Sequence, residues 1–205
     1  MPSPDPVTER AVPRIGPTKD EIRLRVGRSR ANRPEDVRRA GDQARTRSVL
    51  DALGDWRPGV VAAYANVAGE PATAELIDAI SAWATVLLPV LTRSTGSRGG
   101  PTWAVYEGRT RLRAGLWGIP EPSGVPGGQD AILTADLVIL PGIAGSPAGD
   151  RLGTGGGWYD RALVASTAPR WLLLNDDEVY SSLPADPWDL PVSTLVTERR
   201  VIRCA

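Results

Sequence analysis

The chain has 205 residues, no histidine, one cysteine, and 24 basic against 24 acidic residues, for a formal net charge of zero. That length suits one domain with a sizeable core, and the neutral balance argues against a dedicated nucleic-acid binder. Without histidine there is no Ser-His-Asp or Cys-His catalytic unit and no imidazole metal ligand, so most hydrolase and zinc-enzyme chemistry is excluded and any metal must sit on oxygen ligands.

The first 18 residues, MPSPDPVTERAVPRIGPT, hold five prolines and no apolar signal-peptide stretch. We expect a mobile proline-rich tail over 1–17 and a single domain over 18–205. No apolar run approaches the roughly 18 residues of a membrane span, so a soluble, cytoplasmic protein is expected; separately, we expect a monomer. Cys204, with no second thiol, has no assigned role. Lys19 is the only lysine.

Thr18 followed by Glu21 is a capping-box pattern that opens a short charged helix to about residue 31, with Lys19 and Arg23 four apart on one face. Pro34 opens a second helix over 34–53, whose Val37, Ala40, Ala44, Val49, Leu50 and Leu53 supply an apolar stripe while its arginines face solvent or a neighbour. Apolar runs at 60–64, 85–90, 103–106, 136–142, 171–174 and 193–197 then read as strands, with helices at 71–84 and 158–166 between them. That alternation predicts an α/β fold, a layered, Rossmann-like sandwich around a mostly parallel sheet. The stretches 95–101 and 121–130 read as turn-rich connections.

The segment RLGTGGGWYDRAL, 151–163, follows the apolar strand DLVILP and enters the last predicted helix. Strand, glycine loop and helix in that order let backbone N–H groups and a helix dipole converge on an anion. The loop lacks the Gly-Lys-Ser/Thr ending of a Walker motif, and Trp158 stands where a dinucleotide fingerprint needs its third glycine. A hydrogen bond to a charged group contributes roughly 1.5–3 kcal/mol, against about 0–1 for an exposed ion pair, so three or four loop amides outweigh any one surface arginine. Arg151 could fork onto phosphate oxygens, and Asp160 could hold a hard cation.

The run R-L-G-x-G-x-G-W-Y-D-R, preceded by DLVILPGIA, resembles the nucleotide-binding signature of the 5-formyltetrahydrofolate cyclo-ligase family. Lys19 and Arg23 match the family's N-terminal K-x-x-x-R. YANVAGEPAT, VLLPV, PTWAVYEG, WGIPEP and LPADPWDLPVSTLVTE follow in the family's order. The resemblance implies conversion of 5-formyltetrahydrofolate and ATP, with Mg2+, to 5,10-methenyltetrahydrofolate, ADP and phosphate, through a phosphorylated formyl group.

It further implies that Lys19, Arg23, Arg151, Leu152, Gly153, Thr154, Gly155, Gly156, Gly157, Trp158 and Tyr159 hold ATP, with Lys19, Arg151 and Asp160 catalytic. Asp160 and Asp189 would bind Mg2+, and Glu70, with Arg23, would contact the reduced folate. Tyr159 and Trp103 are expected as walls for the flat pterin ring. Where most of the family reads A-F-D, this chain has Ala144, Gly145 and Ser146, which removes an aromatic and a carboxylate expected close to the site. On the residues alone, two other readings stay open: a sugar-phosphate isomerase-like enzyme, and a module binding RNA or an acidic partner through Arg23 to Arg47.

Overall fold

The computed structural model describes residues 16–91 and 100–205. The segment 1–15, most of the expected tail, and residues 92–99, most of the expected turn at 95–101, lie outside the described residues. In chain order the elements are α1 (Lys19–Asn32), α2 (Glu35–Leu53), β1 (Val60–Ala62), α3 (Ala74–Ser81), β2 (Thr85–Val90) and β3 (Thr102–Val105). There follow β4 (Leu112–Ala114), β5 (Pro120–Pro122), β6 (Leu137–Pro141), β7 (Ala144–Gly145), β8 (Arg151–Leu152), α4 (Trp158–Ala162), β9 (Arg170–Leu173), β10 (Thr194–Val196) and β11 (Val201–Arg203).

The seven-stranded sheet has the order β11-β10-β9-β6-β1-β2-β3. The five inner strands run parallel, and β3 and β11 close the edges antiparallel. All six apolar runs read as strands are strands. β11, the β4–β5 hairpin and the two-residue pair β7–β8 carry no comparable apolar run and escaped the sequence reading. Glu121 and Pro122, expected in a turn, lie in β5.

Strand periodicity places alternate residues on opposite faces. Val61, Leu137 and Ile139 pack under α2 and α3 with Val49, Leu76 and Ile80. Ala62, Val138 and Leu140 pack on the other face with Ile132, Leu163 and Leu195. A side chain such as Leu140, fully buried, contributes about 1.5–3 kcal/mol by leaving water.

The capping box forms as expected: Thr18 Oγ1 accepts from the Glu21 amide at 3.2 Å, and the Glu21 carboxylate accepts from the Thr18 amide at 2.8 Å. The apolar stripe of α2 is shorter than expected. Val37 is half exposed, and the buried residues of the helix are Arg45, Val49 and Leu53. Arg45 does not face solvent because Asp42, Asn175 and the Leu174 carbonyl satisfy its guanidinium inside the fold. Nor does the helix expected over 158–166 persist; α4 is five residues long. One turn carries little macrodipole, so the helix-dipole contribution expected at the end of the glycine loop is small.

Strands β1 and β6 are adjacent and parallel, yet the chain leaves β1 toward β2 and leaves β6 toward β9. The order therefore reverses between them, which opens a crevice at their carboxyl ends where ligands of such sheets bind.

Candidate active site

A cavity of about 1020 Å³ opens at this reversal, at the upper end of the roughly 300–1,000 Å³ that a single drug-sized ligand occupies. The segment after β1 supplies Tyr64 and Glu70, the segment after β6 supplies the glycine loop, and the β9–β10 connection supplies Asp186, Trp188 and Asp189. The start of α1 adds Lys19 and Arg23. Thus residues from four separated stretches meet in one place.

The glycine loop is pinned from outside: Arg23 Nε donates to the Gly153 carbonyl at 3.1 Å. Gly155 and Gly157 have φ of 106° and 61°, a region open to glycine without steric cost. Among the described residues, no protein acceptor takes the amides of Gly153, Thr154, Gly155, Gly156 or Gly157. A row of donors left free on a cavity wall suits an anion. Leu152 contributes differently, since its side chain packs into the cluster with Ile22 and Val26, leaving only its backbone to face a ligand.

Charge around the loop is paired. Lys19 Nζ lies 2.7 Å from Asp186 Oδ2 and 2.6 Å from Asp189 Oδ2. Burial opposes the ammonium, but the hydrogen bonds and charges of the two aspartates outweigh it and hold Lys19 above its ordinary pKa. The same contacts, with the Asp186 amide, overcome burial at Asp189 and keep that carboxyl below the usual range. Arg151, its side chain 6% exposed, donates through Nη2 to Asp160 Oδ1, while its Nε has no partner among the described residues.

Asp160 and Asp189 are sequence neighbours of nothing in common, yet the Leu190 amide lies 3.5 Å from Asp160 Oδ1. Each carboxylate commits one oxygen to protein donors, Asp160 its Oδ1 and Asp189 its Oδ2. Among the described residues, the other oxygen of each accepts no protein hydrogen bond. Two hard oxygens beside an anion cradle match Mg2+, which takes one or two carboxylates and completes its shell with phosphate oxygens and water. Protein ligands alone would not suffice, and no group of three potential ligands occurs among the described residues.

Glu70 accepts from the Val67 amide at 3.1 Å. Burial raises its pKa, against the lowering effects of that hydrogen bond and of Arg30. Tyr159, behind the loop, is pushed well above its ordinary pKa by burial and by the charge of Glu70.

Trp103 is not a cavity wall. It is 1% exposed, belongs to the core cluster under Tyr159 and meets that ring edge-on at 6.3 Å between centroids. Its indole supports the tyrosine from below, because β3 turns that position toward the sheet core. The exposed aromatic surface comes instead from Trp117, stacked on Trp158 at 5.2 Å and 15°, and from Trp188. Trp117 lies in WGIPEP, so the signal was present in the sequence without a reason to place that ring at the cavity.

Ala144, Gly145 and Ser146 also lie away from the cavity wall. A β-carbon on Gly145 would sit 2.8 Å from Leu195 Cδ2 and 3.0 Å from side-chain carbons of Leu172 and Leu174. Leucines therefore fill the volume that a larger residue would take. Ser146 is buried and donates through Oγ to Asp150 at 2.6 Å.

A mostly parallel α/β sheet whose switch-point crevice is lined by a glycine loop, basic side chains and carboxylates has the architecture of a small-molecule-binding α/β protein. The model of the 5-formyltetrahydrofolate cyclo-ligase family matches residues 15–198. The chain is 32% identical over 195 residues to a Mycolicibacterium smegmatis 5-formyltetrahydrofolate cyclo-ligase, covering 90% of this chain and 96% of that one. It is likewise 32% identical over 183 residues to the Escherichia coli cyclo-ligase, covering 85% and 96%. The solved structure of Aquifex aeolicus 5,10-methenyltetrahydrofolate synthetase superposes with a TM-score of 0.76 at 29% identity, over 90% of this chain and 92% of that one. The chain belongs to the 5-formyltetrahydrofolate cyclo-ligase family, a family of enzymes.

Proposed function

We propose that this protein converts 5-formyltetrahydrofolate to 5,10-methenyltetrahydrofolate at the expense of ATP, releasing ADP and phosphate. The observation that carries the reading is the meeting of Lys19, Arg23, the glycine loop and Glu70 on one cavity of about 1020 Å³.

Lys19, Arg23, Arg151 and the amides of Gly153 to Gly157 receive the ATP phosphates. Charge-assisted hydrogen bonds of this kind contribute roughly 1.5–3 kcal/mol each. Asp160 and Asp189 would hold Mg2+, which supplies neutralisation of phosphate charge. Glu70 receives N–H groups of the pterin, and Trp117, Trp158 and Tyr159 offer aromatic surface for the flat rings.

The formyl oxygen attacks the γ-phosphorus and the bond from phosphorus to the ADP oxygen breaks, leaving a phosphorylated imidate. N10 of the same folate then closes on the formyl carbon and gives up its proton to solvent, and phosphate leaves with the former formyl oxygen. The attacking groups both belong to the substrate, so the chain's task is alignment and charge neutralisation. This accords with a sequence that has no histidine.

The test is to mix protein, ATP, Mg2+ and 5-formyltetrahydrofolate and follow the near-ultraviolet absorbance of the methenyl product. Absence of product, while the Escherichia coli enzyme turns over in parallel, sinks the reading.

A further inference from the structure

Arg30 and Glu178 form an ion pair that the proposed chemistry does not use, with both side chains among the most buried charges of the described residues. Arg30 Nε lies 2.7 Å from Glu178 Oε1, and Nη2 lies 2.8 Å from Oε2. The two are 7% and 1% exposed by side chain. Removing an ion pair's charges from water costs several kcal/mol per ion before their attraction offsets it. A pair kept at that cost warrants a look at what else it touches.

Arg30 Nη2 also donates to the Gly142 carbonyl at 2.7 Å, at the point where β6 becomes the glycine loop and on the wall of the cavity. A side chain on Gly142 would meet Leu172 at 2.7 Å, so the backbone there lies directly on the core while its carbonyl takes the arginine. On its other side Arg30 abuts the Glu70 segment: a β-carbon on Gly69 would lie 3.9 Å from Arg30 Cβ.

The network then continues through Glu178. Its carboxylate accepts from the Asn175 amide at 2.9 Å and the Asn175 side chain at 2.7 Å. Asn175 Oδ1 accepts from Arg45 at 2.9 Å, Arg45 donates to Asp42 at 2.7 Å, and Asp42 accepts from the Ala72 amide at 3.0 Å. One chain of polar contacts, buried at Arg30 and Glu178 and part-buried beyond them, therefore runs from the start of the glycine loop to a residue two places beyond Glu70. Networks of this kind in a low-dielectric interior rigidify what they connect when every member is satisfied.

We propose that Arg30 and Glu178 are positioning residues, setting the Gly142 end of the glycine loop and the Glu70 segment at a fixed separation so that phosphate and folate meet in register. Neither side chain lines the cavity, so both act through the backbone they hold. This inference rests on the cyclo-ligase reading of the site.

The experiment compares the full-length parent with Arg30→Met/Glu178→Gln, which removes both charges together and keeps an amide oxygen for Asn175. Leaving no unpaired buried charge avoids the large penalty of breaking one partner. The expected result is a folded variant with a melting temperature within several degrees of the parent and kcat/KM for 5-formyltetrahydrofolate reduced at least tenfold. The loss should be carried by a raised KM for the folate, with ATP affinity by calorimetry also reduced. A variant that folds and shows the parent's kcat, KM and ATP affinity makes the pair purely structural and overturns the proposal.

Should the double variant not fold, Arg30→Lys decides. It keeps the cation but cannot fork onto Glu178 while reaching Gly142, and is expected to lose at least threefold in kcat/KM at a temperature where it is fully folded. Parent-like constants in that variant overturn the proposal. A parent that yields no product fails the cyclo-ligase reading instead, and the ATP calorimetry separates that failure from this one.

Discussion

The ammonium of Lys19 lies 2.6 Å from Oδ2 of Asp189, a residue 170 positions further along the chain. The contact ties the first turn of α1 to the β9–β10 connection and seats the chain's sole lysine on the cavity wall. Asp186 shares the same ammonium, so the cation is positioned before any ligand arrives. Lys19→Met is expected to lose one charge-assisted contact to phosphate, about 1.5–3 kcal/mol, or roughly 10- to 150-fold in kcat/KM for ATP. Steady-state kinetics with varied ATP checks this; an unchanged kcat/KM removes Lys19 from the phosphate site.

Asp160 offers one oxygen to Arg151, and its other oxygen accepts no hydrogen bond among the described residues. Asp160→Asn preserves the shape and weakens the hard-oxygen ligand, so half-maximal rate is expected at a several-fold higher Mg2+ concentration, with partial recovery at saturating metal. Metal titrations at fixed ATP measure it. Identical titration curves would mean that Asp160 serves only to hold Arg151.

Glu70 carries a pH signature. Burial raises its folded-state carboxyl above the unfolded value of 4.5 despite the Val67 amide and Arg30. A raised folded pKa means that the stabilising contribution is present below the unfolded pKa and is lost as pH rises through the folded one. At neutral pH the ionised group therefore destabilises the fold. Glu70→Gln should raise the melting temperature at pH 7, with the difference vanishing below about pH 4, while KM for the folate rises. Thermal melts at the two pH values decide it; a lower melting temperature at pH 7 contradicts the burial argument.

Trp117 is the one non-glycine residue with positive φ, at 55°, among the described residues. A bulky residue held there stores on the order of 1–3 kcal/mol of strain, and its ring stacks on Trp158 at the cavity. Trp117→Gly releases the strain while removing the stacking surface. The melting temperature is expected to stay within about 3 °C of the parent, with KM for the folate raised several-fold. A large loss of stability with unchanged KM would make Trp117 a packing residue.

Gly145 stands where the family resemblance led us to expect phenylalanine, and the space beside it is already filled by Leu172, Leu174 and Leu195. Overpacking a core by a few methylenes costs about 1–3 kcal/mol, and a phenyl ring adds far more than that. Gly145→Phe is therefore expected to lose at least about 3 kcal/mol in chemical denaturation rather than gain activity. A stable variant with improved turnover would show that the leucines can withdraw.

Much of this was legible locally. The apolar runs from 60–64 to 193–197 became strands because a strand buried on both faces must be continuously apolar, as Leu137 to Leu140 are. Thr18 and Glu21 spelled a helix start because capping needs only side chains three residues apart. The ordered motifs pointed to the family for the same reason: they are short stretches whose chemistry is written in adjacent residues.

What local pattern does not encode is which distant group ends beside which. Periodicity made Val37 part of an apolar stripe and left Arg45 outside, but Asp42, Leu174 and Asn175 provide the guanidinium with acceptors, and Arg45 is 1% exposed. Trp103 was expected to wall the flat ring and Trp117 was not; the facing of β3 sends the first into the core, and the β4–β5 hairpin carries the second to the cavity. The length of α4 depended on packing that its own residues do not determine. The sequence by itself therefore determined the alternating elements of the sheet and singled out Lys19, Arg23, Glu70, the glycine loop, Asp160 and Asp189, which line one cavity, but not Asp186, Trp117 or Trp188 beside them. The tertiary structure decided the pairing of its charges, since Lys19 with Asp189 and Arg30 with Glu178 are joined across 170 and 148 residues and only the folded sheet brings them within hydrogen-bond reach.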